Sequence, residues 1–211
     1  MLGAVSAFKA YDIRGIAGED ITTDFSRRLG RAIVEFAQAT SIAVGRDIRS
    51  SGESLKAALI QGIVESGCTV VDLGIVPTGV VYRSTVDLNV DSAIAITASH
   101  NPPEYNGFKI VHKGLPVAGE DLQRLKAIYE SPDQGKANSP GTILSMSEYH
   151  HTVIDAIVQD VGPLARRVSV AVDSANAVPG PFIMELCEKL GVDLVDLNCT
   201  WDQRSPAHPA D

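Results

Sequence analysis

Ser92-Ala93-Ile94-Ala95-Ile96-Thr97-Ala98-Ser99-His100-Asn101-Pro102-Pro103 sets a short apolar run against an abrupt polar loop. The run reads as an interior strand of a covered sheet, because it is continuously apolar and turn-forming residues follow it. In open α/β sheets ligands bind just beyond the carboxyl ends of strands. Ser99 is therefore a candidate nucleophile by position. A plainer reading competes for the residues that follow. Asn101-Pro102-Pro103-Glu104 fits a helix start, with Asn101 as N-cap, Pro102 at the first helical position and Glu104 closing a capping box. Asn106-Gly107 would then end the turn in a left-handed conformation. That reading accounts for residues 101–107 but not for Ser99 and His100, which precede the cap.

On both sides of this stretch, helix and strand patterns alternate. Residues 23–39 read as a helix, with Phe25, Leu29, Ala32, Ile33 and Phe36 on one stripe. Residues 41–45 form a short strand running into Arg46-Asp47-Ile48-Arg49. Ser51 can cap the next helix, in which Leu55, Ala58, Leu59, Gly62 and Ile63 keep helical spacing up to a terminal Gly67. A β-branched strand over 69–73 and a helix from Gly79 to about Val86 precede the 92–97 strand. After the serine loop, a strand over 107–112 and a helix over 121–129 are expected, the latter with acids early and Lys126 late, as the helix dipole prefers. The βαβα rhythm points to a three-layer α/β/α domain with a mixed, largely parallel sheet over residues 1–130.

Residues 131–141 contain no large apolar side chain and read as a linker or exposed loop. A second unit, 142–211, carries a helix over 147–161, strands over 168–173 and 193–197, and a helix over 181–190. About 70 residues are marginal for an independent domain, and a two-stranded sheet leaves both outer edges unpaired. An incomplete second α/β domain is the expectation. Such a unit would pack on the first, continue in further residues, or self-associate.

Bulk properties exclude several classes. Among 211 residues, 45% are hydrophobic and 21% charged, an ordinary globular balance. Eighteen Lys and Arg against 26 Asp and Glu give a net charge of −8, which argues against coating nucleic acid. Cys68, Cys187 and Cys199 are too few and too scattered for a disulfide framework or zinc knuckle; Cys68 and Cys187 read as buried small hydrophobes. No apolar run is long enough to span a bilayer, and residues 1–5 lack a signal-peptide pattern, so a cytoplasmic protein is the default.

Four segments could carry chemistry: Tyr11-Asp12-Ile13-Arg14-Gly15, Gly45-Arg46-Asp47-Ile48-Arg49, Ser99-His100-Asn101 and Gly107-Phe108-Lys109. Each has a bland alternative. Arg14 can be a solvated surface arginine, Arg46 and Asp47 can pair with each other or cap the following helix, and Lys109 can point to solvent from an alternating strand. Together they surround a serine with cations in an acidic protein, which suits an anionic, phosphate-bearing substrate.

In this order, these segments and Thr97-Ala98-Ser99-His100-Asn101-Pro102 resemble the α-D-phosphohexomutases, with phosphomannomutase/phosphoglucomutase as the nearest type. The resemblance implies that Ser99 is phosphorylated and passes its phosphoryl group to a hexose phosphate. The bisphosphorylated sugar would turn over and return its other phosphate, so the phosphate moves between positions 1 and 6. It further implies that Arg14 and Lys109 stabilise the transferring phosphate and that His100 supports proton transfer or orientation. Tyr11 would lie near the substrate, and Ser99 would meet Mg2+ through its phosphate. Phosphoryl transfer depends mainly on positioning and charge stabilisation, which agrees with such a set.

The family's Asp-Gly-Asp-x-Asp-Arg metal loop does not occur in these residues, and neither do its later sugar-selecting and phosphate-clamping loops. Asp173-Ser174-Ala175-Asn176-Ala177-Val178-Pro179-Gly180 resembles the opening of the family's second domain, with alanines at 175 and 177 where glycines are usual. Pro206-Ala207-His208-Pro209 resembles its His/Pro-rich segment. The expectation is the N-terminal portion of a phosphohexomutase with little or no turnover by itself. The alternative is a short, non-catalytic phosphosugar-binding or regulatory module that dimerises. A serine hydrolase fits less well, since there is no Gly-x-Ser-x-Gly elbow.

Overall fold

The computed structural model describes residues 6–132, 137–202 and 208. Along the chain run β1 (Ile13–Ile16), α1 (Thr23–Ala37), β2 (Ser41–Arg46), α2 (Gly52–Glu65), β3 (Thr69–Ile75) and α3 (Thr78–Asp87). Then come β4 (Ser92–Ile96), β5 (Tyr105–His112), β6 (Leu115–Pro116), α4 (Gly119–Glu130), β7 (Ile143–Ser145) and α5 (Tyr149–Val161). The last are β8 (Ser169–Asp173), α6 (Gly180–Leu190) and β9 (Asp193–Leu197).

All of β4 is buried, as its unbroken apolar run requires. It lies inside a sheet of order β1-β5-β4-β2-β3-β7, with β6 paired to β5. The pairs β4–β2, β2–β3 and β3–β7 are parallel. The strand β5 runs antiparallel to β4, β1 and β6. The expected mixed, largely parallel α/β/α domain is therefore present.

Each strand divides its side chains between two faces. Ile94 and Ile96 enter a cluster with Leu29 and Ile33 of α1, Leu59 and Ile63 of α2, and Leu122 and Leu125 of α4. Ala93 and Ala95 face Val80 and Val81 of α3 and Tyr149 and Val153 of α5. The alanines leave room for helices to lie close on that side. Two glycines permit a similar approach of α1 to α2. A Cβ on Gly30 would lie 2.4 Å from Leu59 O, and one on Gly62 would lie 1.9 Å from Arg27 O. At the margin of that contact Glu65 bonds both Arg27 and Arg31. Those partners hold the Glu65 carboxyl down to about 2, with the Arg27 hydrogen bond the largest cause.

Away from the serine loop, the structure departs from the sequence reading in four local places. Strand β1 overlaps the Tyr11–Gly15 segment, where no strand was assigned. Strand β7 was not anticipated; it brings residues beyond 142 back into the first sheet, pairing Ile143 with Val70. Helix α5 likewise covers the open face of that sheet. Ser51 occupies the N-cap position of α2 without a side-chain capping bond; its hydroxyl instead accepts from Asn106 Nδ2 at 2.9 Å.

Beyond the first sheet, β8 and β9 pair in parallel around α6, with Ser169 opposite Asp193 and Asp173 opposite Leu197. This is one βαβ unit of a further, partial α/β domain. Its strands are weakly covered: β8 alternates exposed and half-buried residues, and Val195 and Leu197 are exposed. Cys68, Cys187 and Cys199 are buried and free, and burial pushes the Cys68 thiol up to about 12. Of the Pro206–Pro209 stretch, all but His208 lies outside the described residues. No helix among the described residues is long and apolar enough to cross a membrane.

Candidate active site

The strand β2 has β4 on one side and β3 on the other. The chain therefore leaves the carboxyl ends of β2 and β4 in opposite senses, the place where open α/β sheets form a ligand crevice. Two of the sequence segments meet there. Arg46-Asp47-Ile48-Arg49 follows β2, and Thr97-Ala98-Ser99-His100 follows β4. Asp47 N donates to Ile96 O at 3.0 Å, joining the two exits.

Ser99 is exposed at the tip, with φ of 56°. That left-handed conformation is uncommon for a residue with a Cβ and needs outside support. Locally, Ser99 N donates to Thr97 Oγ1 at 2.9 Å. Across the crevice, Arg49 Nη2 donates to Ser99 O at 2.9 Å and Asn101 O at 2.7 Å. Its Nη1 donates to Pro102 O at 2.6 Å and Tyr105 O at 3.0 Å. Asp47 fixes the guanidinium from behind, 3.2 Å from Arg49 Nε. The fork of one arginine thus gathers four carbonyls of the serine loop.

This arrangement corrects the helix-start reading of residues 101–107. Asn101 N donates to Ala98 O and Tyr105 N to Pro102 O, which closes two successive turns before β5 begins at Tyr105. Asn101 caps no helix; its Oδ1 accepts from Arg14 Nη1 at 2.7 Å. Asn106 is a buried strand residue, and its Oδ1 accepts from Gly107 N at 2.8 Å. Pairing with β4 decides the matter, since β5 continues antiparallel to β4 through Ile96–Phe108.

Arg14 and Lys109 reach the site from the neighbouring strands. Arg14 pairs across from Gly107, where a Cβ would sit 2.1 Å from Ile13 O, so only glycine lets β1 come this close. Lys109, opposite Ala95 in β5, is half-buried and points Nζ at Asp12 Oδ2, 3.1 Å away. Asp12 Oδ1 lies 4.0 Å from Arg14 Nε. Two cations share one carboxylate, and Arg14 reaches the serine loop through Asn101. The hydroxyl of Ser99 is 3.1 Å from His100 Nδ1, and both residues are exposed.

The Arg46–Asp47 side-chain pairing considered from sequence is not formed. Arg46 bonds Glu53 and Asp47 O, while the Asp47 carboxylate accepts from Arg49. Tyr11 is 83% exposed and is not among the residues of the Ser99–Asn101–Arg14–Asp12–Lys109 contacts. Sequence reasoning did not assign Arg49 or Asp12 a role, and gave Asn101 only that of a helix cap. Their partners lie dozens of residues away, and only the Gly45–Arg49 and Tyr11–Gly15 segments marked them as worth attention. Magnesium is not accommodated by these residues alone: Asp12 is engaged by Lys109 and Asp47 by Arg49. Among the described residues no carboxylate cluster faces Ser99.

The crevice at the carboxyl ends of β2 and β4 thus carries a serine on a clamped turn, with Arg14 and Lys109 sharing Asp12 on the adjoining strands. Residues 5–136 match the family model described as phosphoglucomutase/phosphomannomutase, alpha/beta/alpha domain I. The chain belongs to the phosphoglucomutase/phosphomannomutase family. It is 39% identical to the phosphomannomutase/phosphoglucomutase of Pseudomonas aeruginosa, over 98% of this chain and 44% of that protein. It is 38% identical to a phosphoglucomutase of Neisseria meningitidis, over 97% of this chain and 45% of that protein. A crystal structure of a phosphoglucomutase/phosphomannomutase family protein from Burkholderia thailandensis superposes with a TM-score of 0.90 at 35% identity, covering 97% of this chain and 46% of the other. The chain thus spans less than half the length of these relatives.

Proposed function

We propose that this chain carries the phosphoserine part of a phosphohexomutase site, with Ser99 as the residue that gives and takes the phosphoryl group. The observation that supports it most is the turn at Ser99, which presents an exposed hydroxyl at the switch point while Arg14, sharing Asp12 with Lys109, holds the same loop at Asn101. In the forward step a sugar hydroxyl oxygen bonds to the phosphorus of phosphoserine as the P–Oγ bond breaks. The sugar hydroxyl gives up its proton as the departing Ser99 oxygen takes one, and His100, 3.1 Å from Ser99 Oγ, supports that exchange. The reverse step, with the other phosphate of the bisphosphorylated hexose, restores phosphoserine.

Arg14 and Lys109 neutralise charge on the phosphoryl oxygens, and the exposed Tyr11, next to Asp12 in the chain, contacts the substrate. Asp12 holds the two cations apart from solvent ions until an anionic substrate competes for them. Magnesium, where bound, would neutralise charge on the serine phosphate; no step is assigned to it. The substrate class is a hexose phosphate.

The test is incubation of the chain with a hexose 1,6-bisphosphate, followed by mass spectrometry of its peptides. One phosphoryl group on Ser99, absent from Ser99→Ala, is expected, together with little or no conversion of hexose 1-phosphate to 6-phosphate by the chain alone. Phosphate elsewhere, or equal incorporation into Ser99→Ala, would sink the reading.

A further inference from the structure

The start of α5 carries a cluster that the phosphoryl chemistry does not use. Glu148, His150 and His151 each offer a ligand atom, and these atoms all lie within 4.8 Å of one another. The two imidazole rings are 3.9 Å apart at their centroids, and Phe182 of α6 packs edge-on against His150.

Both rings are held through Nδ1. His150 Nδ1 is 2.9 Å from Ser147 O, and a carbonyl can only accept, so that nitrogen carries the proton. His151 Nδ1 is 2.7 and 2.9 Å from the two carboxylate oxygens of Glu185 on α6, which likewise demand a donor. In their neutral forms both histidines therefore leave Nε2 as a bare lone pair. A carboxylate or carbonyl behind Nδ1 is the usual way a metal-binding imidazole is oriented.

On the far side of His151, Nε2 lies 3.0 Å from Glu148 Oε2. A neutral Nε2 and a carboxylate oxygen are both acceptors, so their approach is met either by a second proton on His151, which then donates to Glu185 and Glu148, or by a metal ion between them. A proton satisfies those two atoms but does nothing for His150. A metal ion would engage a ligand atom from all three residues, which lie within 4.8 Å of one another. Lys189, which bonds Glu185 and Asp155, is the charged neighbour on α6, and it is turned to the second-layer carboxylate rather than to the imidazoles.

We propose that Glu148, His150 and His151 form a binding site for a divalent transition-metal ion of the zinc class, with Glu185 and the Ser147 carbonyl orienting the two imidazoles. Two imidazoles and one carboxylate suit zinc, cobalt, nickel or copper, and are a poor match for magnesium or calcium. The three protein donors leave a position for water. Because Glu185 belongs to α6 and the ligands to the start of α5, a bound ion would tie together the two helices that join the first sheet to the partial domain.

The experiment uses the whole 211-residue chain, freed of metal, titrated with Zn2+ by calorimetry and with Co2+ by visible absorption. One equivalent should bind, with cobalt bands of a low-coordinate nitrogen and oxygen site, and Mg2+ should not compete. Glu148→Gln, at an exposed side chain, and His150→Ala should each weaken binding at least about tenfold. Glu185→Gln, which removes no ligand, should weaken it by about 10- to 100-fold. Thermal melts of the metal-free variants check that each is folded. Absence of stoichiometric binding, or affinity unchanged in both His150→Ala and Glu185→Gln, overturns the assignment.

Discussion

The two βαβ regions of this chain use the same grammar to different depth. In β2-α2-β3 and its neighbour β4, helices cover both faces and every residue of β4 is buried. In β8-α6-β9, one helix serves two strands whose outer residues meet solvent. Topology alone does not stabilise a sheet; coverage does. The site sits on the covered unit, where strand ends are fixed well enough to hold a serine in a disfavoured conformation.

The largest contrast should come from equivalent truncations. Ile94→Ala empties a fully buried position in the cluster covered by α1, α2 and α4 and should cost about 2–5 kcal/mol. Val195→Ala, at a position 55% exposed, should stay within about 0.5 kcal/mol. Urea denaturation measures both. A Val195→Ala cost near that of Ile94→Ala would mean β9 is covered in solution, and the contrast between the regions would fail.

Next in size is the clamp on the serine loop. Arg49→Met keeps bulk but removes charge-assisted hydrogen bonds to the carbonyls of Ser99, Asn101, Pro102 and Tyr105, and strands Asp47. Water can replace part of this at an exposed loop, so a stability loss of about 2 kcal/mol is expected. Hydrogen exchange should show the amides of 98–105 losing protection while those of β4 keep theirs. Equal protection in variant and parent would show that the turn holds itself, and that Ser99 does not depend on Arg49.

This uneven coverage also governs what could be read from the residues. The strand β4 was legible because burial on both faces leaves an unbroken apolar run. The strand β1 was hidden because its alternate residues are only half-buried and include Arg14. All three residues of β7 are exposed, so Ile143–Ser145 carries no burial signal and joins the sheet through backbone bonds to β3. The 101–104 turn imitated a helix start because Asn, Pro and Glu satisfy turns and caps by the same local bonds. Ser99, Arg14 and Lys109 were identified as candidates from their segments. Arg49's grip on the loop was not, since it spans some 50 positions of sequence and depends on β2 and β4 lying side by side.

The smallest effects concern ion pairs, one in each region, and their pH dependence sharpens the comparison. Glu65 sits between Arg27 and Arg31 at the α1–α2 contact, and its carboxyl is lowered from 4.5 to about 2. A depressed carboxyl stabilises the fold while ionised. Its contribution is complete above pH 4.5 and is lost as the pH falls through that value towards 2. Glu65→Gln should therefore lower the melting temperature modestly at neutral pH and remove part of the acid sensitivity seen in the parent. Asp193 is also lowered, first by its hydrogen bond from Arg167, but Arg167 is 81% exposed and solvent screens the pair. Asp193→Asn should leave the melting temperature unchanged at both low and high salt. If it destabilised the chain as much as Glu65→Gln does, the partial domain would be packed more tightly in solution than its exposed strands imply.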